Sequence, residues 1–179
     1  MKTLLLSASL SIVIHTWVVA QTTREVVRDS SGRVVQTIDH RTDSNGTVHS
    51  TTRDASGRMT GSSTSRPGSS GAVRTEYRDA SGRLTGSADT RVSGNGSANT
   101  TYRDASGRMT GSADTRKTGG GVTSGFRDAS GRITGTTSSN CQPSGNCSTT
   151  RRDASGRSTG TSTGSKPPVV PPSPPPARK

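Results

Sequence analysis

The sequence predicts an all-β protein, an array of six β-hairpin repeats in an extended sheet or solenoid with part of the chain disordered. Three observations predict it. The motif Arg-Asp-(Ala/Ser)-Ser-Gly-Arg begins at Arg28, Arg53, Arg78, Arg103, Arg127 and Arg152, in steps of 25, 25, 25, 24 and 25 residues, and self-similarity at a fixed period marks a repeat architecture. Residues flanking each copy alternate in character, which is the period of a strand. Apolar side chains are scarce: Val, Ile, Leu, Met, Phe and Tyr number sixteen between positions 21 and 164. Their burial falls far short of the entropy of ordering that stretch, so a packed globular core is not expected.

Residues 1–20 read as a secretory leader, with Lys2, the apolar run Leu4–Ile14 and a Val18-Val19-Ala20 end suited to signal peptidase. The repeat region then spans 21–164. Within it each motif is a turn: Asp79 can accept a bond from a backbone N–H two residues on, and Gly82 tolerates positive φ. With a four-residue loop Asp79–Gly82, Tyr77 faces Leu84, Thr75 faces Gly86 and Val73 faces Ala88, all on one side. A three-residue loop with a glycine bulge is the other common solution. It sets Arg78 opposite Leu84 and mixes the faces, so the four-residue register is preferred.

Between motifs lie Gly/Ser/Asn-rich stretches such as Ser93–Ser97, which close second turns. The same parity places Val92 and Ala98 across one of them, and Cys141 and Cys147 across the stretch Gln142–Asn146. These are the two cysteines of the chain. Behind a secretory leader, a disulfide clamping that turn is the natural reading. From Ser165 the segment 165–179 carries seven of the nine prolines and is expected to be an extended polyproline tail outside the fold.

Around Asp79-Ala80-Ser81-Gly82-Arg83-Leu84-Thr85 the sequence is similar to the YD repeats of bacterial RHS and teneurin-type proteins, whose core is Tyr-Asp-x-x-Gly-Arg-Leu. The likeness covers about eight residues of each period and occurs six times. It departs in the arginine inserted between Tyr77 and Asp79 and again between Tyr102 and Asp104, and in Val27, Thr52 and Arg151, which stand where Tyr77, Tyr102 and Phe126 supply an aromatic. The resemblance implies stacked hairpins and a surface or secreted role with carbohydrate binding. A more distant likeness is to curlin-type amyloid subunits, although the Asn/Gln ladders expected there are missing.

Arginine supplies twenty of the twenty-four positive charges, against twelve acidic residues. In the hairpin register Arg78, Arg83 and Arg91 share the polar face, as do Arg103, Arg108 and Arg116. Stacked hairpins repeat such a group about every 10 Å. Guanidinium forks suit sulfate, phosphate and carboxylate, and charged strands also keep an exposed sheet soluble. No catalytic motif, phosphate loop or metal-ligand set is apparent, so neither enzymatic activity nor a cofactor is expected. His40 and His49 read as solvated side chains, and the six turn aspartates as turn formers. The expected function is that of a secreted, periplasmic or cell-surface repeat protein making weak multivalent contacts with acidic polysaccharide or lipopolysaccharide, nucleic acid being less favoured, with no transmembrane segment once the leader is cleaved. A self-assembling structural subunit and a largely disordered secreted chain are the rival readings.

Overall fold

The computed structural model describes residues 21–119 and 121–165. The expected leader, 1–20, and residues 166–179 of the proline-rich tail lie outside the described residues. Twelve antiparallel strands run in six hairpins: β1 (Gln21–Asp29) with β2 (Val34–Thr42), β3 (Val48–Asp54) with β4 (Met59–Pro67), β5 (Ala72–Asp79) with β6 (Leu84–Val92), β7 (Ala98–Asp104) with β8 (Met109–Thr118), β9 (Gly121–Asp128) with β10 (Ile133–Cys141) and β11 (Asn146–Asp153) with β12 (Ser158–Ser165). Each strand pairs with its neighbours in sequence. The array is not an extended sheet or solenoid, however: β1 pairs with β12, from Glu25↔Gly164 to Asp29↔Gly160, and closes a barrel. Closure satisfies the backbone groups that two edge strands would leave open, and the twist added by a bulge in every hairpin supplies the curvature it needs.

The turns explain the local register. In the third repeat Asp79 N–H donates to Arg83 O at 3.0 Å and Gly82 N–H to Asp79 O at 3.0 Å, with Gly82 at φ +83°. That is a three-residue loop ending in a glycine bulge, and all six motifs adopt it. The four-residue register is therefore corrected. Arg78 pairs with Leu84, while Tyr77 pairs with Gly86 and Thr75 with Ala88, because Thr85 is an extra residue on β6. Its hydroxyl donates to Tyr77 O at 3.2 Å. The bulge restores parity beyond it, so Tyr77, Thr75, Gly86 and Ala88 do share the inner face as expected. Leu84 does not: it turns outward beside Arg78.

Inside, the barrel is lined by small residues. Ala88 and Ala113 are fully buried and pack with Tyr102, Phe126 and the half-buried Tyr77. Thr75, Thr100 and Ser65 are the largest fully buried side chains. Tyr102 lies directly across from Ala88 and Phe126 across from Ala113, so rings on neighbouring strands cover these two small side chains. Hydroxyls meet across the second hairpins: Ser65 Oγ with Thr75 Oγ1 at 2.8 Å, Thr90 Oγ1 with Thr100 Oγ1 at 2.8 Å, Thr115 Oγ1 with Ser124 Oγ at 2.8 Å and Ser139 Oγ with Thr149 Oγ1 at 2.7 Å. A packed interior thus exists where none was expected. Mutually satisfied hydroxyls and close strand packing take the place of bulky apolar side chains.

At the second turns the expectations hold. Val92 pairs with Ala98, and Cys141 pairs with Cys147 through a disulfide. The five-residue stretch 142–146 is tightened by Gln142 N–H donating to Asn146 O at 2.8 Å, the same bonding as in the motif turns.

Candidate functional site

Because every motif turn joins strands in the same sense, all six lie at one end of the barrel and the second turns lie at the other. The motif end carries Arg28, Arg33, Arg53, Arg58, Arg78, Arg83, Arg103, Arg108, Arg127, Arg132, Arg152 and Arg157 with six turn aspartates. Twelve arginines against six aspartates put six of the eight net positive charges of residues 21–165 at this end. The first arginine of each turn is docked: Arg28 Nη1 donates to Gly32 O at 3.1 Å, Arg78 Nη1 to Gly82 O at 3.0 Å, and the other four copies match within 2.9–3.1 Å. The second, as at Arg83 and Arg108, extends into solvent outside the ion pairs formed among the described residues. The result is a crown of guanidinium groups, half of them held in one repeated orientation.

The aspartates build the turns. Asp79 Oδ1 accepts from Ser81 N–H at 2.9 Å and Arg83 N–H at 3.0 Å, and from the Ser81 hydroxyl at 2.6 Å. That hydroxyl, with the Arg83 and Ser81 amides, holds the Asp79 carboxyl below the usual carboxylate range, and Ser155 does the same for Asp153. A depressed folded-state value contributes stability above the unfolded carboxylate range, near pH 4, which is lost as pH falls through the folded value. Thermal midpoints should therefore fall on acidification through that window. Replacing Ser81 and Ser155 together by Ala should move the acid limb to higher pH, and melts with superimposable acid limbs would contradict this role.

The structure divides the six arginines singled out from sequence. Arg78, Arg83, Arg103 and Arg108 lie in the crown. Arg91 and Arg116 lie on the outer wall towards the opposite end, seven residues of strand beyond Leu84 and Met109, roughly 23 Å away. Around the closed array the crown groups recur about every 10 Å on a circuit instead of along a line. Arg116 also borders a shallow outer groove of about 380 Å³ with Asp114, Gly125, Phe126, Arg127 and Ile133. The wall between the ends is charged and polar, with ion pairs such as Arg24 Nε to Asp39 Oδ1 at 2.6 Å and Arg74 Nη1 to Asp89 Oδ1 at 3.5 Å. Among the described residues this stretch of wall carries ion-paired and polar side chains where a bilayer-spanning barrel carries an outward apolar band.

Two groups of residues escaped the sequence reading. One lies inside the seam: Glu25 on β1 accepts from Arg151 Nη2 on β11 at 3.2 Å, and His40 Nε2 on β2 stands 3.8 Å from its other oxygen. His40 is buried, not solvated, and its Nδ1 meets Ser50 Oγ at 2.8 Å. Burial raises the Glu25 carboxyl, but His40, Ser162 and the Arg151 charge outweigh it and hold it below its ordinary value. His49, by contrast, is exposed beside Asp43, with Nε2 to Oδ2 at 2.9 Å. Among the described residues no three His, Cys, Asp or Glu side chains converge as metal ligands. The other group is the outward apolar position next to the second arginine in five of the six repeats, occupied by Val34, Met59, Leu84, Met109 and Ile133. No protein-family model, curated protein or solved structure matches this chain.

Proposed function

We propose that the chain is a non-enzymatic repeat barrel, secreted or envelope-associated, whose crown makes weak multivalent contacts with anionic polymers such as acidic polysaccharide or lipopolysaccharide. The observation that carries this reading is the repetition of one arginine pair in one backbone setting six times at a single end. Each site alone is weak, because an exposed guanidinium gains little from one anion in water. A long polyanion touching several sites forms its later contacts at high effective concentration. The likeness to YD repeats supports the same surface role. The rival reading as a self-assembling subunit relies on open strand edges, and in this barrel β1 and β12 pair with each other.

Replacing Arg78, Arg83, Arg103 and Arg108 together by Gln should weaken binding of a long acidic polysaccharide at least about tenfold. It should also lower the slope of log affinity against log salt by up to about 4, one for each charge removed. Strand content by circular dichroism should stay unchanged. Equal affinity and equal salt dependence in parent and variant would overturn the reading.

A further inference from the structure

Polyanion binding accounts for the arginines of the crown but not for the apolar side chains set among them. The residue after the second arginine is Val34, Met59, Leu84, Met109 or Ile133 in five repeats and Ser158 in the sixth. Each lies directly across the hairpin from the first arginine: Val34 from Arg28, Met59 from Arg53, Leu84 from Arg78, Met109 from Arg103 and Ile133 from Arg127. The bulge turns them outward, and exposure runs from 37% for Val34 and Leu84 to 55% for Ile133, Met59 being half-buried. Single exposed apolar residues are ordinary on any surface. A ring of them, each bracketed by two guanidinium groups at the same place in successive hairpins, is a pattern.

We propose that the crown docks on a lipid bilayer bearing anionic headgroups, with the apolar ring entering the interface and the arginines meeting the phosphates. The ring lies about two residues of strand behind the turn tips, roughly 7 Å. Interfacial protein surfaces sink about 5–10 Å to bury their apolar faces, so seating the ring brings both arginines of each turn to headgroup depth. The tips that lead the way carry Ala80, Ser81 and their equivalents, small and uncharged. Twelve arginines against six aspartates give the attraction to anionic lipid. Among the described residues, β1 begins and β12 ends at the opposite end of the barrel from the crown. A soluble polysaccharide needs the charges alone, whereas an amphiphilic surface uses charges and apolar ring together. The proposal shares the crown with the polyanion reading but does not depend on it.

The test uses vesicles of phosphatidylglycerol mixed with phosphatidylcholine, with phosphatidylcholine alone and a soluble acidic polysaccharide as the other two arms. Val34, Leu84, Met109 and Ile133 are replaced together by Ser, the residue the sixth repeat already carries there. The parent should bind the anionic vesicles and not the neutral ones, and the variant should lose vesicle partitioning about a hundredfold while keeping its polysaccharide affinity. Vesicle binding by the variant equal to the parent's, or no vesicle binding by the parent, overturns the docking proposal and leaves the polyanion reading standing. A variant that loses both ligands is resolved by a second measurement. Tryptophan emission of Leu84→Trp should shift to the blue on anionic vesicles, while Val122→Trp at the far end should not, and no difference between the two overturns the proposal.

Discussion

Gly86→Val should lower the thermal midpoint by about 10 °C, equivalent to about 3 kcal/mol in a domain of this size. A Cβ at Gly86 would stand 2.5 Å from the carbonyl oxygen of Arg103, on the neighbouring strand β7. That oxygen belongs to the backbone, so β6 and β7 must part to make room. The same close approach recurs at Gly61 against Arg78 O and at Gly135 against Arg152 O, which is why the Thr-Gly step follows nearly every motif. Gly125→Ala is the control. Nothing lies within 4 Å of its would-be Cβ, and its midpoint should stay within about 2 °C of the parent. A Gly86→Val variant melting with the parent would show that the strands separate at little cost.

Glu25→Ala should destabilise the barrel by about 2 kcal/mol and do so at one place. Removing the carboxylate leaves Arg151 Nη2 without its acceptor and His40 facing no charge, and Arg151 Nη1, Thr23 Oγ1 and His40 Nε2 already lie buried without a hydrogen-bond partner. Part of the guanidinium is solvated, so the penalty is smaller than for a fully enclosed ion. Amide exchange should accelerate first in β1 and β12 while β7 and β8 keep their protection. Replacing Glu25 and Arg151 together by Leu should recover most of the loss, since no uncompensated charge then remains. Uniform acceleration along all twelve strands would rule out a local role for this cluster.

Much of the architecture was legible because the repeat is exact in its turn chemistry. Asp and Gly at fixed positions dictate each turn, and strand parity correctly grouped Tyr77, Thr75, Gly86 and Ala88 on the inner face and paired Cys141 with Cys147. The pairing within each motif hairpin is not legible from hydrophobicity, which favours the four-residue loop over the three-residue loop that forms. Hydrophobicity alone places Leu84 inside, whereas the bulge at Thr85 turns it outward beside Arg78. Closure was missed for a different reason: it depends on curvature accumulated over twelve strands, and no single residue signals it. The seam cluster did leave a signal. Glu25 occupies the place of Thr75, His40 that of Thr90 and Arg151 that of Tyr77, so three of the departures from the repeat at inward positions are side chains that meet.

All strand pairs but one join segments adjacent along the chain, and the exception sets the first strand against the last, which carries Glu25 of β1 to Arg151 of β11, 126 residues away. Five second hairpins and six motif hairpins can form locally and early, each at the modest entropy of a short loop. The last pairing is available only after every other register is correct, because a one-residue slip anywhere presents β12 to β1 with the wrong side chains facing inward. Ring closure therefore works as a proofreading step: it completes the hydrogen-bond circuit for a chain whose eleven earlier pairings agree, and it leaves two open edges on any other.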